Sequence, residues 1–430
     1  MSRKNPWSWV PTLYFAEGVP YAIVMTVAVV MYKKLEISNT DIALYTSWLY
    51  LPWVIKPLWS PIVDMAGTRR GWVIAMQWLI GAGFAAIAFS LPLSNFFACS
   101  LAAFWLVAFL SATHDIAADG FYMLGLDQEQ QSFFVGIRST FYRIAMVLGQ
   151  GGLVTVAGII EILYPNCSPE MPWKTVMVIL SAMFVILALY HSFALPYPPS
   201  DHRAAKLTGI GEALHEFGST FVSFFKKPHA GIALLFMLLY RFPEAQLVKL
   251  ISPFLLDSEA SGGMGMTTAQ VGVCYGTVGI IALMAGGIAG GIVVSRGGLA
   301  KWLKPMAWSM SLTCLTFVLL SQLHTISLPL IYGCVAVEQA GYGFGATAYT
   351  MYLIFYSDGP RKTSHYAMCT GIMALGMMLP GMMAGKLQET MGYDGFFLWV
   401  TACCVFTIAV TMLVKVPSDF GRKHNMHKKG

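Results

Sequence analysis

The chain has 430 residues, 57% of them hydrophobic and only 11% charged, against roughly one quarter charged in an ordinary soluble domain. That balance excludes a soluble enzyme or a nucleic-acid-binding domain, because the net charge of +6 is spread over short loops rather than gathered on one face. The eight cysteines include no CxxC pair, so neither a disulfide framework nor a zinc site is expected, and no metal or cofactor is called for.

Apolar runs of about 20 residues, the length that crosses roughly 30 Å of hydrocarbon, recur along the chain. They fall near 8–32, 41–63, 72–91, 96–120, 133–160, 174–195, 229–255, 268–294, 305–323, 328–356, 364–385 and 395–415. Arg3 and Lys4 precede the first run, which continues to about Met31 with no small-residue cleavage site, so it reads as a retained helix and not a signal peptide. The fold class predicted is an all-α membrane protein with 12 transmembrane helices in two six-helix bundles. Loop charge sets the orientation. Arg69, Arg70, Arg203, Lys206, Lys226, Lys227, Arg296, Lys301, Lys304, Arg361 and Lys362 all fall on one side, with the basic tail, which predicts both termini in the cytoplasm.

The longest polar connection divides the spans six and six. It predicts an N-terminal bundle over 1–199, a cytoplasmic linker over 200–228, a C-terminal bundle over 229–416 and a cytoplasmic tail over 417–430. Within the linker Leu214, Phe217, Phe221 and Phe224 recur at helical spacing, with Glu212, His215 and Glu216 between them. That pattern suits a helix lying on the inner membrane surface; a flexible linker is the alternative.

Ionisable residues inside the spans are costly and therefore informative. Span one has Glu17, span two Lys56, span four His114 and Asp115, span five Arg138 and Arg143, span seven Arg241 and Glu244, and span ten Glu338. Spans one, four, seven and ten stand at three-helix intervals, and in repeat-built transporters the first helix of each three-helix unit lines the central cavity. In the stretch Ser111-Ala-Thr-His-Asp-Ile-Ala-Ala-Asp119, the two aspartates are one turn apart on a common helix face. Counting outward from the loop midpoints puts Glu17 level with Lys56 and Asp115 level with Arg138. Arg143 then lies deeper, with no carboxylate at its level.

Arg143 is thus the first candidate for anion binding, with Arg241 and Lys56 beside it. Arg241 and Glu244 share a face of span seven across Pro243, which should loosen the backbone there. Glu338, Tyr342, Gly345 and Tyr349 fall on one stripe of span ten; packing around Gly341, Gly343 and Gly345 is the competing reading. Tyr342 and Tyr349, then Trp53 and Trp105, are candidates to stack on sugar faces. Glu338, Asp115 and Glu17, followed by Glu244 and His114, are candidate proton carriers, although Glu17 and Asp115 equally fit the static halves of buried ion pairs.

Two loops repeat a pattern. Ser60-Pro-Ile-Val-Asp64-Met-Ala-Gly67-Thr-Arg69-Arg70 follows span two, and Gly291-Ile-Val-Val-Ser295-Arg296-Gly297-Gly298 follows span eight. The pair resembles the loop signature of the major facilitator superfamily, and Asp64, Arg69, Asp119 and Arg138 are expected to act in gating or ion pairing. Further pieces are Phe15-Ala-Glu-Gly-Val-Pro-Tyr, Lys56-Pro-Leu-Trp-Ser-Pro, the Ser111 to Asp119 stretch, Tyr142-Arg-Ile-Ala-Met and Gln270-Val-Gly-Val273. On these the chain resembles, over nearly its whole length, the AmpG family of muropeptide permeases. It departs from the family pattern at Glu17, in place of a small polar residue, and at His114, in place of an amide.

The resemblance implies proton-driven import of disaccharides of GlcNAc and anhydro-MurNAc bearing short peptides. It places Lys56, Asp115, Asp119, Arg143 and Glu338 on family-like polar sites. The expected protein is a monomeric secondary transporter of the bacterial inner membrane, taking an anionic saccharide inward by alternating access. Its partners are a small-molecule substrate, protons and the bilayer. The alternatives are a carrier of another organic anion, such as a sugar acid or acyl-CoA, a non-transporting sensor, and a membrane-embedded enzyme built on His114 and Asp115. No HExxH or GxSxG motif supports the enzyme.

Overall fold

Several helices begin where a polar side chain can accept the orphan amides of a first turn. Thr68 accepts from Gly71 ahead of Arg69–Ser90, and Asp127 with Gln130, then Thr267 with Gln270, form reciprocal capping boxes at the starts of spans five and eight. The computed structural model describes residues 5–60, 63, 67–198, 201, 218–219, 221–323, 327–359 and 362–422. Among them there is no strand, and nine helices are long and apolar enough to cross a membrane.

The remaining spans differ in kind. Span two is divided into Asn39–Trp48, Leu51–Ile55 and a 3-10 turn at Lys56–Leu58. Span ten is Leu328–Ser357. The last of the nine holds spans eleven and twelve together within Lys362–Leu413, interrupted at Gly392, whose φ of 71° is cheap only for glycine. The helical segments therefore supply the twelve spans of the expected all-α architecture. Span nine starts at Leu299, earlier than the hydropathy suggests, because the turn at Gly298 (φ 79°) already reverses the chain. Leu299 donates to the Phe420 carbonyl at 2.9 Å, so the first residues of the expected tail fold back onto this turn.

The chain forms two compact units, Met1–Phe217 with Thr267–Gly276, and Gly218–Met266 with Thr277–Gly430. In unit one, span three packs on spans four and six, and span one packs on span five. A Cβ on Gly18 would stand 2.8 Å from the Tyr142 carbonyl oxygen, so the span one to span five approach needs a residue without a side chain. In unit two, span nine packs on spans ten and twelve, and Gly376 of span eleven lies against Met237 and Leu238 of span seven. The glycines of span ten serve two neighbours: Gly343 faces the Leu283 carbonyl of span eight, while Gly341 and Gly345 face Thr313 and Met310 of span nine.

Three spans contain a wider π turn: Ile23–Val27 in span one, Leu148–Leu153 in span five and Gly272–Gly279 in span eight. Such turns interrupt the regular ladder and are frequent near functional sites. Span one reaches its turn just after Pro20, which has no amide to donate.

Of the expected surface helix, Leu214 and Phe217 lie outside the described residues. Phe221 is exposed, but Phe224 is fully buried and meets Tyr356 and His365 edge to face. The predicted stripe is therefore divided, because Phe224 contributes to the core of unit two and not to a membrane-facing surface.

Candidate functional site

Spans one, two, four and five of unit one collect most of the charges singled out in the sequence. The Lys56 ammonium donates to Asp115 at 2.5 Å. One turn along, Asp119 accepts from the Tyr14 hydroxyl at 2.9 Å and from Arg138 at 3.0 Å, and Arg138 also donates to the Tyr14 oxygen at 2.8 Å. The partners expected from level counting are thus exchanged: Lys56 takes Asp115 in place of Glu17, and Arg138 takes Asp119 in place of Asp115. Level counting assumes straight helices of equal rise, whereas span two is broken after Trp48 and again at Lys56.

Glu17 lies within electrostatic reach of Asp115, Asp119 and Lys56, and its Oε2 is buried with no hydrogen-bond partner. Three carboxylates consequently share Lys56 and Arg138 as paired cations. Arg143 is half-buried and has neither a carboxylate nor a hydrogen-bond partner among the described residues. The adjacent Tyr142 is within electrostatic reach of Arg143, Glu17 and Asp115, which puts the uncompensated guanidinium beside the acidic cluster. Trp53 meets Tyr21 edge to face at 5.3 Å, and Tyr21 leans on Tyr142 at 6.4 Å, so an aromatic row runs along the same group. Trp105 belongs to a different row, stacked on Phe109, which leans on Trp59.

His114 does not join Asp115 in a base pair. It is 1% exposed and lies 3.0 Å from the Gln77 amide, which in turn meets His191 at 2.8 Å; His191 reaches Thr12 at 2.9 Å. This buried polar chain ties spans one, three, four and six together. His114 is accordingly satisfied on its Nε2 side, while its Nδ1 is buried with no hydrogen-bond partner among the described residues.

In unit two, span seven is broken into Ala230–Leu239 and Phe242–Leu256. Arg241 has φ −103° and ψ 14°, outside helical values, two residues ahead of Pro243. The Tyr240 carbonyl at the break accepts from Thr407 at 2.9 Å, as a freed backbone group inside a membrane must. Arg241 and Glu244 therefore do not share a face of one continuous helix: Arg241 stands at the residue before the second half, and Glu244 sits in its first turn, where a negative charge suits the helix dipole.

The Arg241 guanidinium donates to the Tyr342 hydroxyl and lies over its ring, 5.2 Å from the centroid. Glu244 and Glu338 are 2% and 1% exposed and within electrostatic reach of each other. Glu338 accepts from the Gln339 amide at 2.8 Å, whereas Glu244 Oε2 has no hydrogen-bond partner. Tyr349 is 1% exposed, donates to the Met237 carbonyl at 2.7 Å and stacks on Tyr240 and Phe236. It cannot offer a ring face to a sugar, so the span-ten stripe reduces to Glu338 and Tyr342, with Gly345 and Tyr349 as packing.

Residues 12–385 match the family model described as Major Facilitator Superfamily. The chain belongs to the major facilitator superfamily. The Rickettsia conorii protein named AmpG 4 is 26% identical over 413 residues, covering 93% of this chain and 94% of that one. The Escherichia coli K12 anhydromuropeptide permease is 24% identical over 426 residues, covering 95% and 80%. A crystal structure of the nucleoside transporter NupG superposes with a TM-score of 0.71 at 18% identity, covering 94% and 98%.

In this superfamily member the basic loop after span two is anchored in a way its sequence does not announce. Asp64 lies outside the described residues. The Arg69 and Arg70 amides donate to the Asp201 carboxylate at 2.8 and 3.0 Å, so a residue of the linker caps span three. Arg70 donates to the Ser192 and Leu195 carbonyls at the C-terminal end of span six, a favourable place for a cation. The Arg69 guanidinium packs directly on Gly120, where a Cβ would find no room.

Three further features escaped sequence reasoning. Tyr14 bridges Asp119 and Arg138. Glu161 joins Lys34 at 3.3 Å to Thr268 at 2.7 Å. Lys249 is 2% exposed within span seven. A buried lysine in an otherwise apolar run is the one signal that was readable, since such residues usually mark a function or a partner.

Proposed function

We propose that this transporter of the major facilitator superfamily is a proton-coupled importer of anionic saccharides, with peptide-bearing GlcNAc–anhydroMurNAc disaccharides as its substrate class. It works by alternating access in a bacterial inner membrane as a monomer with both termini inside, its bundles 1–199 and 229–416 joined by the linker 200–228. The observation that carries the reading is Arg143, a half-buried guanidinium that makes no ion pair or hydrogen bond among the described residues although it lies near the acidic cluster. A desolvated cation of this kind favours an arriving carboxylate, because a planar guanidinium matches it in a bidentate fork.

Arg241, and Lys56 once released from Asp115, supply further positive charge; Tyr342 and Trp53 supply ring faces for sugar. The name of the Escherichia coli relative, an anhydromuropeptide permease, supports the substrate class. Glu338 and Glu244 in unit two, and Glu17 and Asp115 in unit one, are the proton carriers. In both places the carboxylates outnumber the positive charge paired to them, and a proton is the smallest ion that restores balance. Arg138 and Asp119, paired across spans four and five, and Arg69 at the start of span three act in gating with Asp64. The same cations would serve a sugar acid or an acyl-CoA, which share the anionic group.

The test is uptake of a labelled muropeptide into proteoliposomes under an inward proton gradient. Losing one charge-assisted hydrogen bond, about 1.5–3 kcal/mol, should make Arg143→Ala roughly tenfold to a hundredfold less efficient. Uptake by Arg143→Ala equal to wild type removes the proposed anion site, and recovery of chemically altered substrate would instead favour the enzyme.

A further inference from the structure

Where spans seven, ten and twelve end, unit two encloses a cavity of about 390 Å³, inside the roughly 300–1,000 Å³ range of small-molecule sites. Its walls differ sharply in character. Ile232, Tyr352, Phe355 and Leu413 contribute apolar lining, and Lys227, His229 and Lys415 contribute basic lining with Asp358 as the one acidic residue.

The basic side is built rather than incidental. Lys227 donates to the Tyr356 and Asp358 carbonyls at 2.5 and 2.8 Å, two of the orphan acceptors at the end of span ten, and so is held in place with a third donor left. Burial holds its ammonium below the ordinary lysine range, and Cys369 and Asp358 only partly oppose that. His229 adopts φ 58°, an uncommon conformation for a residue with a side chain, at the rim of the same cavity.

Exposed apolar side chains adjoin the lining residues in sequence. Leu413 and Met412 of span twelve are 51% and 60% exposed, and just ahead of Lys226 and Lys227, Phe221, Val222 and Phe225 are 46%, 50% and 41% exposed. Phe221 and Phe225 pack on each other at 4.7 Å, forming one apolar ridge followed directly by two lysines. Apolar surface ending in a cluster of cations is the pattern that holds an anionic headgroup at a membrane interface while its chains stay in hydrocarbon.

We propose that this cavity is a binding site for one anionic phospholipid, the phosphate held by Lys227, Lys415 and His229 and an acyl chain lying along Ile232, Phe355 and Leu413. Charge complementarity and the adjoining lipid-facing ridge select a lipid over a soluble anion, which would leave the apolar wall uncovered. None of these residues belongs to the proposed transport site.

The full chain in detergent is titrated with phosphatidylglycerol, phosphatidylcholine or sodium phosphate while thermal unfolding is followed. Phosphatidylglycerol should raise the midpoint, and the other two should not. At about 1 kcal/mol per cation, Lys415→Gln should bind about fivefold more weakly and Lys227→Gln/Lys415→Gln about thirtyfold more weakly. Lys415 is exposed, so the single change keeps the test valid if the double variant fails to fold. An equal shift with phosphatidylcholine shows that the charges select nothing, an equal shift with phosphate identifies a soluble anion, and wild-type affinity in both variants puts the lipid elsewhere; each result overturns the proposal.

Discussion

Lys56→Ala is expected to destabilise the protein by about 2–4 kcal/mol, close to the cost of removing one partner from a buried ion pair and reduced for partial exposure. The Lys56 and Asp115 side chains are 25% and 14% exposed, and the variant would leave Asp115, Glu17 and Asp119 facing one another with Arg138 as the remaining paired cation. The double variant Lys56→Ala/Asp115→Ala should recover part of the loss, since it removes the charge that the single change strands. A double-mutant cycle on thermal unfolding measures this, and a coupling of about 0.5–3 kcal/mol is expected for residues in direct contact. Additive effects would mean that the pair contributes nothing as a pair. Uptake should fall with either single change.

Glu338→Gln should abolish gradient-driven accumulation while retaining substrate exchange at equal pH on both sides. The amide has nearly the shape of the carboxyl group and still presents an oxygen to Gln339, so the fold is kept and the exchangeable proton is lost. A gradient of one pH unit is worth about 1.4 kcal/mol per proton and sustains roughly tenfold accumulation. The variant should lose all of it. Internal and external label at steady state, compared with and without the gradient, provides the measurement. Accumulation undiminished in Glu338→Gln would remove Glu338 as a carrier and shift the role to Glu17 and Asp115.

The sequence revealed the fold almost completely, because twelve runs of hydrocarbon length leave a chain few other arrangements in a bilayer. It also identified most of the charges inside the spans, though not Lys249, and Arg143 has no ion pair among the described residues. Pairing was not readable. A single 3-10 turn at Lys56 and a break after Trp48 move that lysine along its axis, and Asp115 and Asp119 are only one turn apart, so a small displacement exchanges partners. Pro243 signalled a break in span seven but not its position two residues earlier, which separates Arg241 from the face of Glu244.

Tyr349 illustrates another limit. Helical spacing places it with Tyr342, yet position along the helix decides which neighbour covers it, and it lies beneath Tyr240 and Phe236. Asp201 was hidden for the opposite reason: a linker residue caps a helix distant in sequence, and only the folded chain brings the two together.

The central claim, that buried carboxylates carry protons with an anionic saccharide, is tested most directly by following both species at once in proteoliposomes of the wild-type chain. Adding muropeptide outside should draw protons inward with it, with the signal abolished by a protonophore. Muropeptide entry that moves no protons and ignores the pH gradient would contradict the account.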